Sequence, residues 1–165
     1  RPRLGAMVKP RVHIGTDHAG LDLSHRLIGV LRADGYEVVD HGPRSFDPLD
    51  DYPGFCIATA EGVAADAHRG IPAFGIVIGG SGNGEQMAAN KVAGIRAALV
   101  WNDDTARLAR AHNDANVVSI GARQHTPEVA IELVRTFLAE PFSGDARHVR
   151  RIGQIAAYEA ERFGA

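Results

Sequence analysis

Cysteine is all but absent from this sequence: the lone Cys56 cannot close an internal disulfide and suits a reducing compartment. Long apolar runs are absent too. None approaches the roughly 20 residues a membrane span needs, and the opening stretch RPRLGAMVKP lacks the apolar centre of a secretory signal, so the chain reads as cytoplasmic, with no membrane partner. Nor is there a surplus of one charge: 18 Lys and Arg against 20 Asp and Glu leave a net −2, which argues against a general nucleic-acid binder. Internal repeats, low-complexity tracts and linkers are missing. So is any H-x-x-x-H spacing; His13, Asp17 and His18 come nearest to a metal set, but His13 falls inside a strand pattern, and no metal is expected.

What is there is an ordinary globular composition, 45% hydrophobic and 23% charged over 165 residues, enough for one domain with a sizeable core. That domain is placed at 11–165. Residues 1–10 are read as an N-terminal extension, natural or left from cloning. RVHIG, EVVDH, AFGIVIGG, IRAALVW and NVVSIGAR read as strands. Between them LDLSHRLIGVLRADG, PGFCIATAEGVAADAH, NGEQMAANK and DDTARLARAHND read as helices, and TPEVAIELVRTFLAE follows the last strand with Thr126 as N-cap and Pro127 behind it. Strands alternating with helices imply right-handed crossovers and a Rossmann-like three-layer α/β/α fold on a five-stranded parallel sheet. An extra C-terminal helix, DARHVRRIGQIAAYEAERF, has no strand to return to and is free to pack on a partner subunit.

The stretch GGSGNGEQ lies where a strand hands over to a helix, the usual anion-binding position of such folds. Its Gly79 and Gly84 have the frame of a nucleotide-triphosphate loop, but Glu85 and Gln86 stand where Lys and Ser or Thr belong, and a carboxylate there would repel a triphosphate. The dinucleotide spacing fails as well, since the glycines fall at Gly80, Gly82 and Gly84. Two readings remain. Glu85 either favours a helix start through the dipole, or it removes a proton from carbon beside a carbonyl while backbone amides hold the developing enolate oxygen.

Other polar groups gather at strand and helix ends. Asp17 and His18 follow the first strand, where they either touch a substrate hydroxyl or, for Asp17, cap the next helix. His112 and Asn113 end a helix, a place that favours a protonated imidazole and also suits an acid/base that opens a sugar ring. Arg123 ends the fifth strand, where its fork can grip an anion. Arg147 and Arg151 share a helix face, with Arg150 near, at the helix end that disfavours cations, a conflict expected where function overrides stability.

Together GTDHAG, DDYP, GGSGNGEQMAANK, AHNDAN, IGAR and RHVRR, in this order over most of the chain, resemble the type B ribose-5-phosphate isomerase family, which includes related sugar-phosphate isomerases. The resemblance implies a homodimer with active sites shared between subunits and interconversion of ribose 5-phosphate and ribulose 5-phosphate without metal or other cofactor. By the same resemblance Glu85 would move the proton between C1 and C2 through a cis-enediolate, aided by Ser81 and the amides from Gly80 through Gly82 and Asn83 to Gly84. His112 would open the furanose ring, and Asp17 and Asn113 would bind sugar oxygens. His18, Arg123, Arg147 and Arg151 would hold the phosphate, with Tyr52 near the pocket. Many members of the family carry a cysteine base at the position of Gly79; here the only thiol is far along the chain at Cys56, so the match is to the glutamate-bearing branch. The rival readings are an isomerase of a six-carbon phosphorylated aldose, a non-catalytic sugar-phosphate or nucleotide-binding module, and a metal-dependent hydrolase.

Overall fold

The alternation of apolar runs and amphipathic stretches resolves into five strands and six helices in the computed structural model, which describes residues 8–164. Residues 1–7, with most of the expected N-terminal extension, and residue 165 lie outside the described residues. In chain order the elements are β1 (Arg11–Thr16), α1 (Leu21–Ala33), β2 (Val38–Asp40), α2 (Tyr52–His68), β3 (Ala73–Gly79), α3 (Asn83–Ala89), β4 (Ala97–Leu99), α4 (Asp103–Ala111), β5 (Val117–Gly121), α5 (Pro127–Ala139) and α6 (Ala146–Phe163). All strand pairs are parallel, in the order β2-β1-β3-β5-β4.

Burial explains the layers. In β3, Ile76 and Ile78 point to one face and Val77 to the other, as the period of two requires. Ile76 and Ile78 join Ile14, Leu27, Leu31 and Phe137 beneath α1 and α5, while Val77 joins Cys56, Ala60 and Val63 beneath α2. The chain goes from β1 outward to β2, then returns through β3 to the other half of the sheet, so the switch point lies between β1 and β3. Loops leaving the carboxyl ends of these two strands diverge there and open a crevice.

Some boundaries fall short of the sequence reading. The edge strands β2 and β4 keep only three residues each of the longer runs expected, since each pairs on one side alone. α4 stops at Ala111 rather than continuing to Asp114, because Asp114 takes a left-handed φ of 45° that no helix accommodates. Asp17 caps a short 3-10 turn, His18–Gly20, that precedes α1. The expected extra helix is α6, whose only buried residue is His148, with Val149, Ile155, Tyr158 and Phe163 all exposed.

Away from the crevice, a buried polar chain ties β1, β2 and α2. His13 Nε2 lies 2.7 Å from Asp66 Oδ2, and Arg11 Nη1 donates to Asp66 Oδ1 at 2.9 Å. His13 Nδ1 is 2.8 Å from His41 Nε2. Burial pushes the Asp66 carboxyl up, but His13 and Arg11 outweigh it and hold it below the ordinary value. Burial, then His13, lowers the His41 pKa against the weaker pull of Asp40. A histidine depressed in the folded state contributes stability that is complete above its ordinary value of about 6.5 and is lost as pH falls from there toward the folded value. The urea midpoint should therefore drop between pH 7 and 5, and His41→Gln should flatten part of that slope; equal slopes for wild type and variant would contradict it.

Candidate active site

Glu85 lies in the first turn of α3 with its side chain folded back over the end of β3, and it is only 4% exposed. A Cβ built on Gly79 would stand 1.8 Å from Glu85 Oε1 and 2.0 Å from Cδ, so the carboxylate fills the space a side chain there would take. Burial pushes this carboxyl above its ordinary value; amides of Glu85 itself and of Gly82 pull it down, and the Asp17 carboxylate pushes it up again. Asp17, at the end of β1 across the switch point, is buried and accepts from Ala19 N–H at 2.9 Å, so it is both a cap and a neighbour of the base.

Cys56 corrects the sequence reading. Although distant along the chain, it sits fully buried in α2, close enough to the crevice that Glu85 and Asp17 reinforce the effect of burial and hold its thiol far above the usual range. It is a protonated packing group behind the two carboxylates.

The rim carries the remaining residues expected on this side. The Tyr52 ring lies against Gly84, its hydroxyl oxygen 2.4 Å from where a Cβ would stand. Arg123 is exposed, with Nη1 3.1 Å from the corresponding point at Gly80, and its backbone N–H donates to the Gly80 carbonyl at 3.1 Å. Ala122 N–H to Gly79 O at 2.7 Å and Ser119 Oγ–H to Gly82 O at 2.7 Å lace the loop to β5. Gly82 supplies the left-handed turn, φ 84°, that starts α3. Ser81 is exposed, and its Oγ accepts from the Asn83 backbone N–H at 3.2 Å and from Asn83 Nδ2 at 3.3 Å.

His18 is held by the loop between β2 and α2: Asp50 Oδ1 lies 2.8 Å from its Nδ1 and accepts its backbone N–H at 3.0 Å. Asp17, His18 and Asp50 bring one possible metal-ligand atom each within 4.8 Å of one another, among the described residues. Within this group Asp50 Oδ1 is paired with His18 Nδ1, and Asp17 Oδ1 accepts from Ala19 N–H.

His112, Asn113, Arg147 and Arg151 form a second group elsewhere. α4 runs back against the strand direction, so its C-terminus, capped by His112, reaches the amino edge of the sheet. His112 is exposed and packs its ring on His148 in α6, with centroids 4.3 Å apart. His148 is buried, its Nδ1 2.8 Å from Ser143 Oγ; burial, then His112 and Arg147, lower its pKa against the pull of Asp145. This stack pins the first turns of α6, with Arg147 and Arg151, to the end of α4. Arg96 fixes Asn113 by donating to its carbonyl at 3.0 Å.

The two groups stand at opposite ends of β5, whose five residues span roughly 15 Å at about 3.3 Å each. Within one chain, then, Glu85 has Asp17, His18, Tyr52 and Arg123 around it but not His112. Sequence reasoning gave no role to Asp50, the first residue of DDYP, which lies in an irregular loop with no periodic signal, or to His148, whose burial on a mostly exposed helix no pattern announces. It also missed the meaning of Gly79, legible only once Glu85 is seen to occupy its side-chain space.

A ribose/galactose isomerase family model matches residues 12–155. The chain belongs to that family. Among the relatives of this ribose/galactose isomerase family member, ribose-5-phosphate isomerase B of Mycobacterium tuberculosis is 50% identical over 149 residues, 90% of this chain and 90% of the relative. Ribose-5-phosphate isomerase B of Escherichia coli is 38% identical over 152 residues, 92% of this chain and 98% of the relative. The crystal structure of ribose-5-phosphate isomerase B from Mycoplasma genitalium with bound ribulose-5-phosphate superposes with a TM-score of 0.87 at 42% identity, covering 92% of this chain and 97% of that one.

The buried thiol yields a direct check within the family frame. A thiol reagent should label Cys56 only as fast as the protein opens, so native samples stay unlabelled while denatured ones react at once. Rapid labelling of the native protein would place Cys56 in the open crevice and contradict its role as packing.

Proposed function

We infer that this chain interconverts ribose 5-phosphate and ribulose 5-phosphate by moving a proton between C1 and C2 of the open-chain sugar. The observation that carries the reading is the buried Glu85 carboxylate, held beside Asp17 at the sheet's switch point with its basicity raised by burial. Glu85 takes the C2 proton of the aldose, whose acidity comes from the C1 carbonyl, and returns it to C1 of the cis-enediolate while the hydroxyl proton passes from O2 to O1. A raised pKa makes the carboxylate the stronger base and brings its ionised and protonated forms closer in free energy near neutral pH, as a two-way transfer needs. The steps as written call on no cofactor.

Around this base, Ser81 and the amides of the segment from Gly80 to Gly84 support the enediolate oxygens, the kind of donor set worth on the order of 10²–10³ in turnover per donor. Asp17 and Asn113 take sugar hydroxyls, and Tyr52 walls the pocket. Arg123, Arg147 and Arg151 form no ion pair among the described residues and are free to grip a phosphate, with His18 beside them.

The separation along β5 supports a dimer with shared sites. Because Glu85 and His112 lie at opposite ends of β5 in one chain, this reading takes His112, Asn113, Arg147 and Arg151 from a second copy, His112 to open the furanose ring and the arginines to hold the distant phosphate. A two-fold pairing makes two equal sites. The exposed Val149, Ile155 and Tyr158 of α6 supply apolar surface for that contact.

A conversion assay over a panel of phosphorylated aldoses, run with a chelator, tests the reaction. Ribose 5-phosphate should be turned over with the chelator present; loss of activity on chelation, or a six-carbon sugar phosphate as the sole substrate, would contradict the assignment. Glu85→Gln should lower turnover by about 10²–10⁴ with substrate binding kept, and because it removes a buried charge it should cost no stability at neutral pH; retained turnover would remove Glu85 as the base. Mixing Glu85→Gln with His112→Asn subunits, each inactive alone, should restore about a quarter of wild-type activity, since half the dimers are mixed and each has one intact site. No recovery on mixing would mean that the two residues do not meet across an interface.

A further inference from the structure

Two residues of one irregular loop hold the ring of His18. Asp50 Oδ1 accepts both the His18 backbone N–H, at 3.0 Å, and the ring at Nδ1, 2.8 Å away. Phe46, on the same loop, packs its ring edge-on against the imidazole at 6.1 Å. The Asp50 side chain is only 10% exposed, and its second oxygen, Oδ2, is buried without a partner among the described residues. A carboxylate desolvated this far with half its acceptors unused is costly, and it gives the fold little in return.

With Nδ1–H committed to Asp50, the tautomer of His18 is set and Nε2 is its one open nitrogen. To donate from Nε2 to an anion while donating from Nδ1 to Asp50, the ring must carry both protons, and the Asp50 carboxylate then balances the imidazolium. The backbone bond to the same oxygen stops the pair from swinging as a unit. This is the second-ligand arrangement by which a carboxylate orients a histidine, here directed at a substrate in place of a metal.

We propose that Asp50 is a positioning residue of the sugar-phosphate site, fixing His18 through Nδ1 so that Nε2 binds the substrate phosphate. The proposal rests on the reading of His18 as a phosphate contact. Asp50 itself touches no reacting atom, so its removal acts on binding and leaves proton transfer at Glu85 in place.

The test combines steady-state kinetics of Asp50→Asn, Asp50→Ala, His18→Asn and the double variant Asp50→Asn/His18→Asn with NMR of the His18 ring nitrogens. Asp50→Asn, which keeps an acceptor for Nδ1–H but loses the charge, should raise KM for ribose 5-phosphate by about tenfold with kcat little changed, and Asp50→Ala should raise it further. The double variant should bind no worse than His18→Asn alone, because the carboxylate acts through the ring. NMR should show protonated Nδ1 in wild type and a mixture of tautomers in Asp50→Ala. Additive effects in the double variant, a fall in kcat in place of a rise in KM, or an unprotonated Nδ1 in wild type would overturn the role of Asp50. If His18→Asn leaves KM unchanged, it is the phosphate contact of His18 that fails, an outcome distinct from the others.

Discussion

The carboxylate of Glu85 occupies the volume that a side chain at Gly79 would need, and that exchange of space governs the chemistry of the crevice. With no atom beyond Cα at the end of β3, a residue from the first turn of α3 can fold back against the sheet and leave solvent. Burial then does what no neighbouring charge has to do: it weakens the acid, and Asp17 across the switch point weakens it further. A side chain at position 79 and Glu85 in its present place are mutually exclusive. That accounts in physical terms for the pairing of glycine with glutamate in this chain. Cys56, the one thiol available here, is shut behind the carboxylates in a state too weakly acidic to compete.

The arrangement has a cost in stability. A carboxyl whose folded pKa is raised holds its proton better in the folded protein than in the unfolded chain, so its contribution is complete below the ordinary carboxyl value and is lost as pH rises through the folded one. Near neutral pH the site therefore subtracts from stability, as expected where function overrides packing. The arginines of α6 repeat the pattern: cations gathered at a helix N-terminus oppose the dipole. The stack of His112 on His148 and the bond from Ser143 hold that helix start in place, so the cations are presented from a fixed platform.

Much of this was legible in the sequence for identifiable reasons. The buried strands β1, β3 and β5 announce themselves as continuous apolar runs because helices cover both faces, and α5 is marked by Thr126 and Pro127 at its start. The edge strands were overextended because an apolar run does not say where one-sided pairing gives out. Within the site, the glycine loop could be shown unfit for a nucleotide from the position of Glu85 alone. Three things needed coordinates. Cys56 returns to the crevice through the packing of α2. The division of the site into two ends depends on strand order, which no local pattern encodes. Asp50 acts from an irregular loop in which only tertiary contact with His18 gives it meaning.

The central claim is that burial against Gly79 turns Glu85 into a base poised for two-way proton transfer. The most direct measurement is an NMR titration of protein labelled with ¹³C at the glutamate side-chain carboxyl, with the Glu85 signal assigned by its loss on substitution. The account predicts one glutamate titrating clearly above the ordinary glutamate value of about 4.3, and that this one is Glu85. A Glu85 signal titrating at or below that value would contradict it.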